Sequence, residues 1–212
     1  MAQINSIIFD LDGTLIDSHP GIEIAIKAAL DEILPGVEHN FSRNLIGPPI
    51  RKILQNALDN PSAEILELLI AKYREIYDHS SCIDFSPYHG VVETLNKIRT
   101  EGIKCFIVTN KPKLPTKKII DFLGLNETFL DLVSPDSIAP SFGSKIASTK
   151  YLIGRNKIDI NSTIFVGDSD DDAEASLQSN ISKFVAVEYG YGKAYKTAKF
   201  KIKKFGDLLE II

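Results

Sequence analysis

Cysteine is scarce in this chain. Cys82 and Cys105 are the two cysteines in 212 residues, and nothing around them resembles a disulfide framework or a zinc site. Cys105 lies inside an apolar run, where a free thiol behaves as a small core residue. Positive charge is not in excess either. The formal net charge is −4, which argues against a nucleic-acid binder held by bulk electrostatics. No run approaches the ~20 apolar residues of a membrane span, and Ile7-Ile8-Phe9 is too short for the core of a secretion signal. A cytoplasmic, reducing setting is therefore the expectation. No internal repeat or low-complexity tract is present. The lysines at 193, 196, 199, 201, 203 and 204 read as a solvated surface around an edge strand. What remains is ordinary for a globular protein, 44% apolar and 25% charged, and long enough for one large domain or a core plus an insert.

Short apolar runs alternate with longer helical patterns. The runs are Ser6–Phe9, Ile103–Thr109, Thr163–Val166, Phe184–Val187 and a weaker Phe200–Ile202. Between them the periodicity predicts helices at about Val91–Thr100, Thr116–Leu123, Lys145–Arg155 and Asp171–Ser179. That alternation predicts an α/β fold, a doubly wound parallel sheet, with ligands bound at the carboxyl ends of the strands. Residues 17–86 break the rhythm. Pro20–Leu34, Pro48–Leu58 and Pro61–Tyr77 read as amphipathic helices, each with proline at or near its start. The expected organisation is a core of residues 1–16 and 87–212 with an inserted helical domain at 17–86. The hinges fall near Asp17-Ser18 and Ser86-Pro87, since proline restricts both itself and the residue before it.

Three apolar runs end in polar residues that carry chemistry. The first stops at Asp10, with a second acid at Asp12 and a turn at Gly13-Thr14. Two acids so close at the end of a buried strand repel each other, and persist if a cation sits between them or one stays protonated. The second run ends at Thr109-Asn110, which offer donors to phosphate oxygens. The third ends at Gly167, followed by four aspartates in the five positions 168–172. N-capping and the helix dipole account for one or two of those acids but not for all. Oxygen ligands of this kind suit Mg²⁺, with Asp10 and Asp168 as candidate direct ligands and Asp172 acting through water. A cation held this way needs an anionic substrate to complete it, and phosphate is the obvious one. Lys145 is the candidate counter-charge, with Lys150 as its rival.

Asp10-Leu-Asp12-Gly13-Thr14 resembles the first motif of the haloacid dehalogenase-like hydrolase superfamily. Thr109-Asn110, Lys145 and Gly167-Asp168 through Asp172 fall where its second, third and fourth motifs belong. Thr109-Asn110-Lys111-Pro112 and Ile46-Gly47-Pro48-Pro49 further resemble the phosphoglycolate-phosphatase-like branch. The resemblance implies a Rossmann-like core with a helical cap, and a phosphatase with Mg²⁺ as cofactor. Asp10 would be the nucleophile and Asp12 the proton donor and acceptor. Thr109 and Lys145 would complete the catalytic set, and Asp10, Asp12 (through its backbone carbonyl), Asp168 and Asp172 would hold the metal. Gly13, Thr109, Asn110 and Lys145 would bind the phosphoryl group. One departure is visible: many relatives carry Lys-Pro at the third motif, whereas Ile146 follows Lys145 here.

A cap that closes over the crevice chooses the leaving group. Ser18, His19, Arg43, Arg51 and Lys52 are its candidate substrate contacts. The expected ligand is a small phosphorylated metabolite such as phosphoglycolate, with no nucleic acid or membrane partner, and the chain acting as monomer or homodimer. A β-phosphoglucomutase-like phosphoryl transfer, a nucleotide phosphatase or pyrophosphatase, and a phospho-accepting binding module without turnover are the alternatives.

Overall fold

The computed structural model describes residues 3–181 and 183–212. Its centre is β1 (Ser6–Phe9), hydrogen-bonded in parallel to a strand on each side. Ile7 and Phe9 point into one apolar layer and Ile8 into the other, so the whole run is buried. A strand covered on both faces reads as a continuous apolar segment rather than an alternating one. Each such side chain contributes roughly 1.5–3 kcal/mol on burial.

The chain then makes a two-residue strand β2 (Ile16–Asp17) and enters three helices, α1 (His19–Ile33), α2 (Ile50–Ala57) and α3 (Ala63–His79). These have their own apolar centre of Ile26, Leu30, Leu54, Leu69, Ile70 and Tyr73. The α3 start follows from Ser62, whose hydroxyl accepts from the Ile65 amide. The return passes through β3 (Ser86–Pro87), which pairs antiparallel with β2, Ile16 against Pro87 and Asp17 against Ser86. Both connections between the helices and the sheet are thus tied into one two-stranded ribbon.

Next come α4 (Val91–Thr100), β4 (Lys104–Val108), α5 (Lys113–Phe122), β5 (Phe129–Val133), α6 (Lys145–Asn156), β6 (Thr163–Gly167), α7 (Asp170–Gln178), β7 (Lys183–Val187) and β8 (Phe200–Ile202). The six sheet strands are parallel in the order β5-β4-β1-β6-β7-β8, the doubly wound α/β architecture that the alternation predicts. β1 leads outward to β4 and β5, and the chain then returns to the other side of β1. The carboxyl ends of β4, β1 and β6 therefore meet at the topological switch point.

β5 is the sheet strand that the sequence pattern does not reveal. Its run Phe-Leu-Asp-Leu-Val carries a charge in the middle and lies at an edge, with Leu130 exposed. Asp131 is used there as an acceptor for the Asn156 amide, 2.8 Å away. A strand half-open to solvent lacks the uniform apolar signal of its buried neighbours. No helix among the described residues is long and apolar enough to cross a membrane.

Candidate active site

Asp10 follows β1 directly, its backbone N–H donating to the Val166 carbonyl of β6. This places the Asp10 carboxylate in the crevice between two strand ends, 4% exposed. Lys145 Nζ lies 2.6 Å from Asp10 Oδ1 and 2.6 Å from Asp172 Oδ1. Lys150 is exposed on the far side of the same helix. Ser144 caps α6 by accepting from the Ala147 amide, so Lys145 opens the helix and its side chain drops into the crevice without a following proline.

The four acids at 168–172 divide in two. Asp170 and Asp171 are exposed in the first turn of α7, where acids suit the helix dipole. Asp168 and Asp172 are buried. Asp172 is also the third residue of a capping box: its Oδ2 accepts from the Ser169 amide at 3.0 Å while Ser169 Oγ accepts from the Asp172 amide. One carboxylate therefore fastens the helix start and faces Lys145 at once.

Asp168 is held by a loop that the motifs do not name. The amides of Tyr191 and Gly192 donate to its Oδ2 at 2.7 and 2.8 Å. The approach is so close that a Cβ on Gly190 would run into Asp168 Cβ and the Gly13 carbonyl oxygen. Gly13 itself sits at φ +84° with Asp168 and Tyr191 packed against it, a backbone conformation that disfavours other residues. Gly190→Ala is expected to push Asp168 off these amides. Overpacking of this kind costs about 1–3 kcal/mol, so a lower melting temperature and a several-fold loss of phosphatase activity should be measured together.

Asp10, Asp168 and Asp172 each offer one oxygen, and the three oxygens lie within 4.8 Å of one another. Three buried carboxylates against one contacting ammonium leave this cluster short of positive charge. The titration behaviour reflects that shortage. Burial pushes the Asp10 carboxyl well above the usual carboxylate range, Lys145 opposing and the neighbouring acids adding to it. Burial and Asp172 push Asp168 up to about 6. Burial works against charge on Lys145, but Asp10 and Asp172 outweigh it and hold the ammonium protonated. An all-oxygen, electron-rich donor set with excess negative charge fits a hard divalent cation.

The other predicted residues are placed as follows. Asp12 is not part of this cluster but lines the cavity described below, and Lys111 Nζ lies 2.9 Å from its Oδ1. Thr109 is buried, and its Oγ1 accepts from the Lys111 amide at 3.1 Å. Asn110 lines the cavity described below. Its side-chain amide donates to the Gly47 carbonyl of the helical insert at 3.1 Å. Ser18 is fully buried in the hinge, where its amide donates to the Tyr191 hydroxyl at 2.7 Å.

Arg43 and Arg51, expected as substrate contacts, each have an acid partner, and neither lines the cavity described below. Arg43 pairs with Asp17 at 2.8 Å and lies over the Tyr191 ring. Arg51 pairs with Glu67 on the surface. Each cation has an acid of its own within reach on the insert or hinge. His19 gives α1 no side-chain cap; its ring stacks on Phe41, with centroids 6.0 Å apart.

Between the insert and the sheet lies a cavity of about 570 Å³, with Ile22, Pro48, Ile53, Tyr73 and Arg74 on one side and Asp12 and Lys111 on the other. It reaches Asp12 but not Asp10, Lys145, Asp168 or Asp172, which form a compact site behind it. The insert is seated by the Asn110–Gly47 bond and by Lys111 Nζ, which donates to the Tyr77 hydroxyl at 2.6 Å. Lys111, Tyr77, Arg74 and Tyr191 are therefore site residues that pattern reading passes over. Only Lys111 had a local signal, since it directly follows Thr109-Asn110.

The haloacid dehalogenase-like hydrolase family model matches residues 7–187. The chain belongs to this family. It is 30% identical to the phosphoglycolate phosphatase of Aquifex aeolicus, over 97% of this chain and 95% of that protein. It is also 30% identical to the N-acetylmuramic acid 6-phosphate phosphatase of Pseudomonas putida, over 89% and 85%. A solved structure from Haemophilus somnus, described as a predicted phosphoglycolate phosphatase, superimposes with a TM-score of 0.86 at 26% identity, covering 100% of this chain and 99% of that one. The chain falls in the phosphoglycolate-phosphatase-like branch, and its enzyme class is that of a phosphatase.

Proposed function

We propose that this enzyme hydrolyses a small phosphate monoester, phosphoglycolate or a close analogue, with Mg²⁺ and through a phosphoryl-aspartate on Asp10. The observation that carries this is the buried cluster of Asp10, Asp168, Asp172 and Lys145 at the strand ends, with Asp12 between it and a separate chamber. A carboxylate oxygen of Asp10 attacks phosphorus as the bond to the leaving oxygen breaks. Asp12 gives that oxygen a proton. It then takes one from the water that attacks the phosphoryl-aspartate, releasing inorganic phosphate and restoring Asp10. Lys145 stays against Asp10 and draws negative charge from the phosphoryl oxygens. Asp10, Asp168 and the backbone carbonyl of Asp12 would hold the metal, with Asp172 supporting it from behind; bound there, Mg²⁺ offsets the repulsion between nucleophile and phosphate.

The chamber on the far side of Asp12 is the place for the leaving group. Its volume lies within the ~300–1,000 Å³ range that encloses drug-sized ligands, more than two carbons fill. A sugar-acid phosphate is accordingly the second reading.

Phosphate release measured across phosphoglycolate, sugar phosphates, nucleotides and pyrophosphate, with Mg²⁺ and with EDTA, tests the assignment. Release of free phosphate from a monoester only when Mg²⁺ is present is the expected result. Turnover that needs a bisphosphate activator and frees little phosphate would point to a mutase instead. Asp12→Asn should retain phosphate binding while its turnover stalls; full activity in that variant would remove Asp12 from the proton-transfer role.

A further inference from the structure

Lys111 is an unusual residue to find in the wall of a leaving-group chamber. Its side chain is 4% exposed, and burying an ammonium is costly unless its charge and donors are met. One donor is spent on the Tyr77 hydroxyl, with the Tyr77 ring centroid 4.7 Å away. The second contact, with Asp12 Oδ1 at 2.9 Å, is a charge contact: that oxygen is buried and has no aligned hydrogen-bond donor. An ammonium carries three N–H groups, so this one has unspent donor capacity beside the chamber. Its place is set from both ends. The Thr109 hydroxyl receives the Lys111 amide at the base of the turn, and Tyr77 of α3 holds the tip. The same chamber wall carries Arg74, which has no carboxylate within 4.0 Å among the described residues.

We propose that Lys111 is the specificity residue of this site and that it receives a carboxylate on the leaving group, so that the substrates are phosphomonoesters of hydroxy acids. This rests on the phosphatase assignment and refines it. Asp12 keeps the ammonium neutralised while the chamber is empty, and an arriving carboxylate shares it through the free N–H groups. A neutral polyol would gain no ionic contact there. Arg74 lies further out, on an exposed stretch of α3, and is placed to meet a second polar group of a longer acid rather than the first.

The experiment compares two esters of matched length, phosphoglycolate and 2-hydroxyethyl phosphate, with the full chain and Mg²⁺. A hydrogen bond to a charged group corresponds to about 10- to 100-fold in kcat/KM, and the wild type should favour phosphoglycolate by that factor. Lys111→Met should lose the preference: its kcat/KM should fall about 10- to 100-fold further for phosphoglycolate than for the hydroxyethyl ester, the extra loss appearing in KM. Lys111→Arg should restore part of it. Should Lys111→Met not fold, Tyr77→Phe, which frees the ammonium from its tether, is expected to reduce the preference on the same pair. Equal loss on both esters would overturn the proposal, because Lys111 would then serve the phosphoryl group. So would a wild type that does not discriminate between them, with the phosphatase assignment left standing. Hydrolysis of neither ester or any other monoester would take down that assignment together with the proposal.

Discussion

Asp10→Asn should abolish phosphate release while leaving the chain folded, and melting at the same temperature or higher. The amide keeps the shape of the carboxylate but is not a nucleophile, and loss of a covalent nucleophile costs on the order of 10⁴-fold or more in kcat. The stability effect has the opposite sign for an electrostatic reason. Asp10 is buried among Asp168 and Asp172, and burial is the largest influence disfavouring its charge. Replacing it with a neutral group removes one uncompensated negative charge, and Lys145 keeps its partner at Asp172, 2.6 Å away. Phosphate release and calorimetry on one preparation separate the two effects. Retained turnover in Asp10→Asn would end the assignment of Asp10 as nucleophile. A collapse in melting temperature would instead mean that the Asp10–Lys145 pair is a net support of the fold.

The second large effect is expected at the partner. Lys145→Met removes the ammonium that contacts both Asp10 and Asp172 and leaves the carboxylates buried with no ammonium touching them. Breaking a buried pair from one side costs about 3–5 kcal/mol. At 2–4 °C per kcal/mol for a chain of this size, the melting temperature should fall by roughly 6–20 °C at pH 7.5 without metal. The loss should shrink at acid pH. Asp168 already has a folded pKa raised to about 6 from an ordinary 3.8, through burial and then Asp172. A raised carboxyl pKa means that the folded chain holds the proton more tightly. Its contribution to stability is therefore complete below about 3.8 and disappears as pH rises through about 6. Without Lys145 the carboxylates rise further, so wild type and variant should converge between pH 7.5 and 5. Calorimetry at both pH values, repeated with saturating Mg²⁺, checks this. Added cation should recover more of the loss in the variant than it adds to the wild type. A pH-independent difference would show that lost packing, and not lost charge, sets the cost.

Electrostatics explains why so much of the site can be read from the chain. Carboxylates at the ends of apolar strands are improbable without a counter-charge, so Asp10, Asp12 and the group at 168–172 stand out in any reading. Their convergence follows from one rule of parallel sheets, that strand ends share an edge. The β1, β4, β6 and β7 runs are legible for a related reason: strands buried on both faces must be apolar throughout. β5 escapes because an edge strand has no such obligation, and its Asp131 bonds where solvent reaches. The cluster at 168–172 illustrates the limit within a single motif. Four aspartates look alike in sequence, yet α7 turns Asp168 and Asp172 inward and Asp170 and Asp171 out.

Side-chain partnerships across distant segments belong to the tertiary structure alone. In the sequence Arg43 and Arg51 are cations without assigned partners; folding brings Asp17 and Glu67 within ion-pair distance of them. Asn110 likewise turns to the Gly47 carbonyl. Tyr191 had no local signal, because its role depends on Asp168, 23 positions earlier, and on the hinge at Ser18, 173 positions earlier. The sequence by itself determined the fold class, the inserted helices and the acids that gather at the strand ends, since each follows from local periodicity and the cost of burying charge. Which cation meets which acid, and that Lys111 meets Asp12 in the chamber wall, was decided only when the helical insert and the sheet were packed together, because ion pairing depends on distances that sequence separation does not encode.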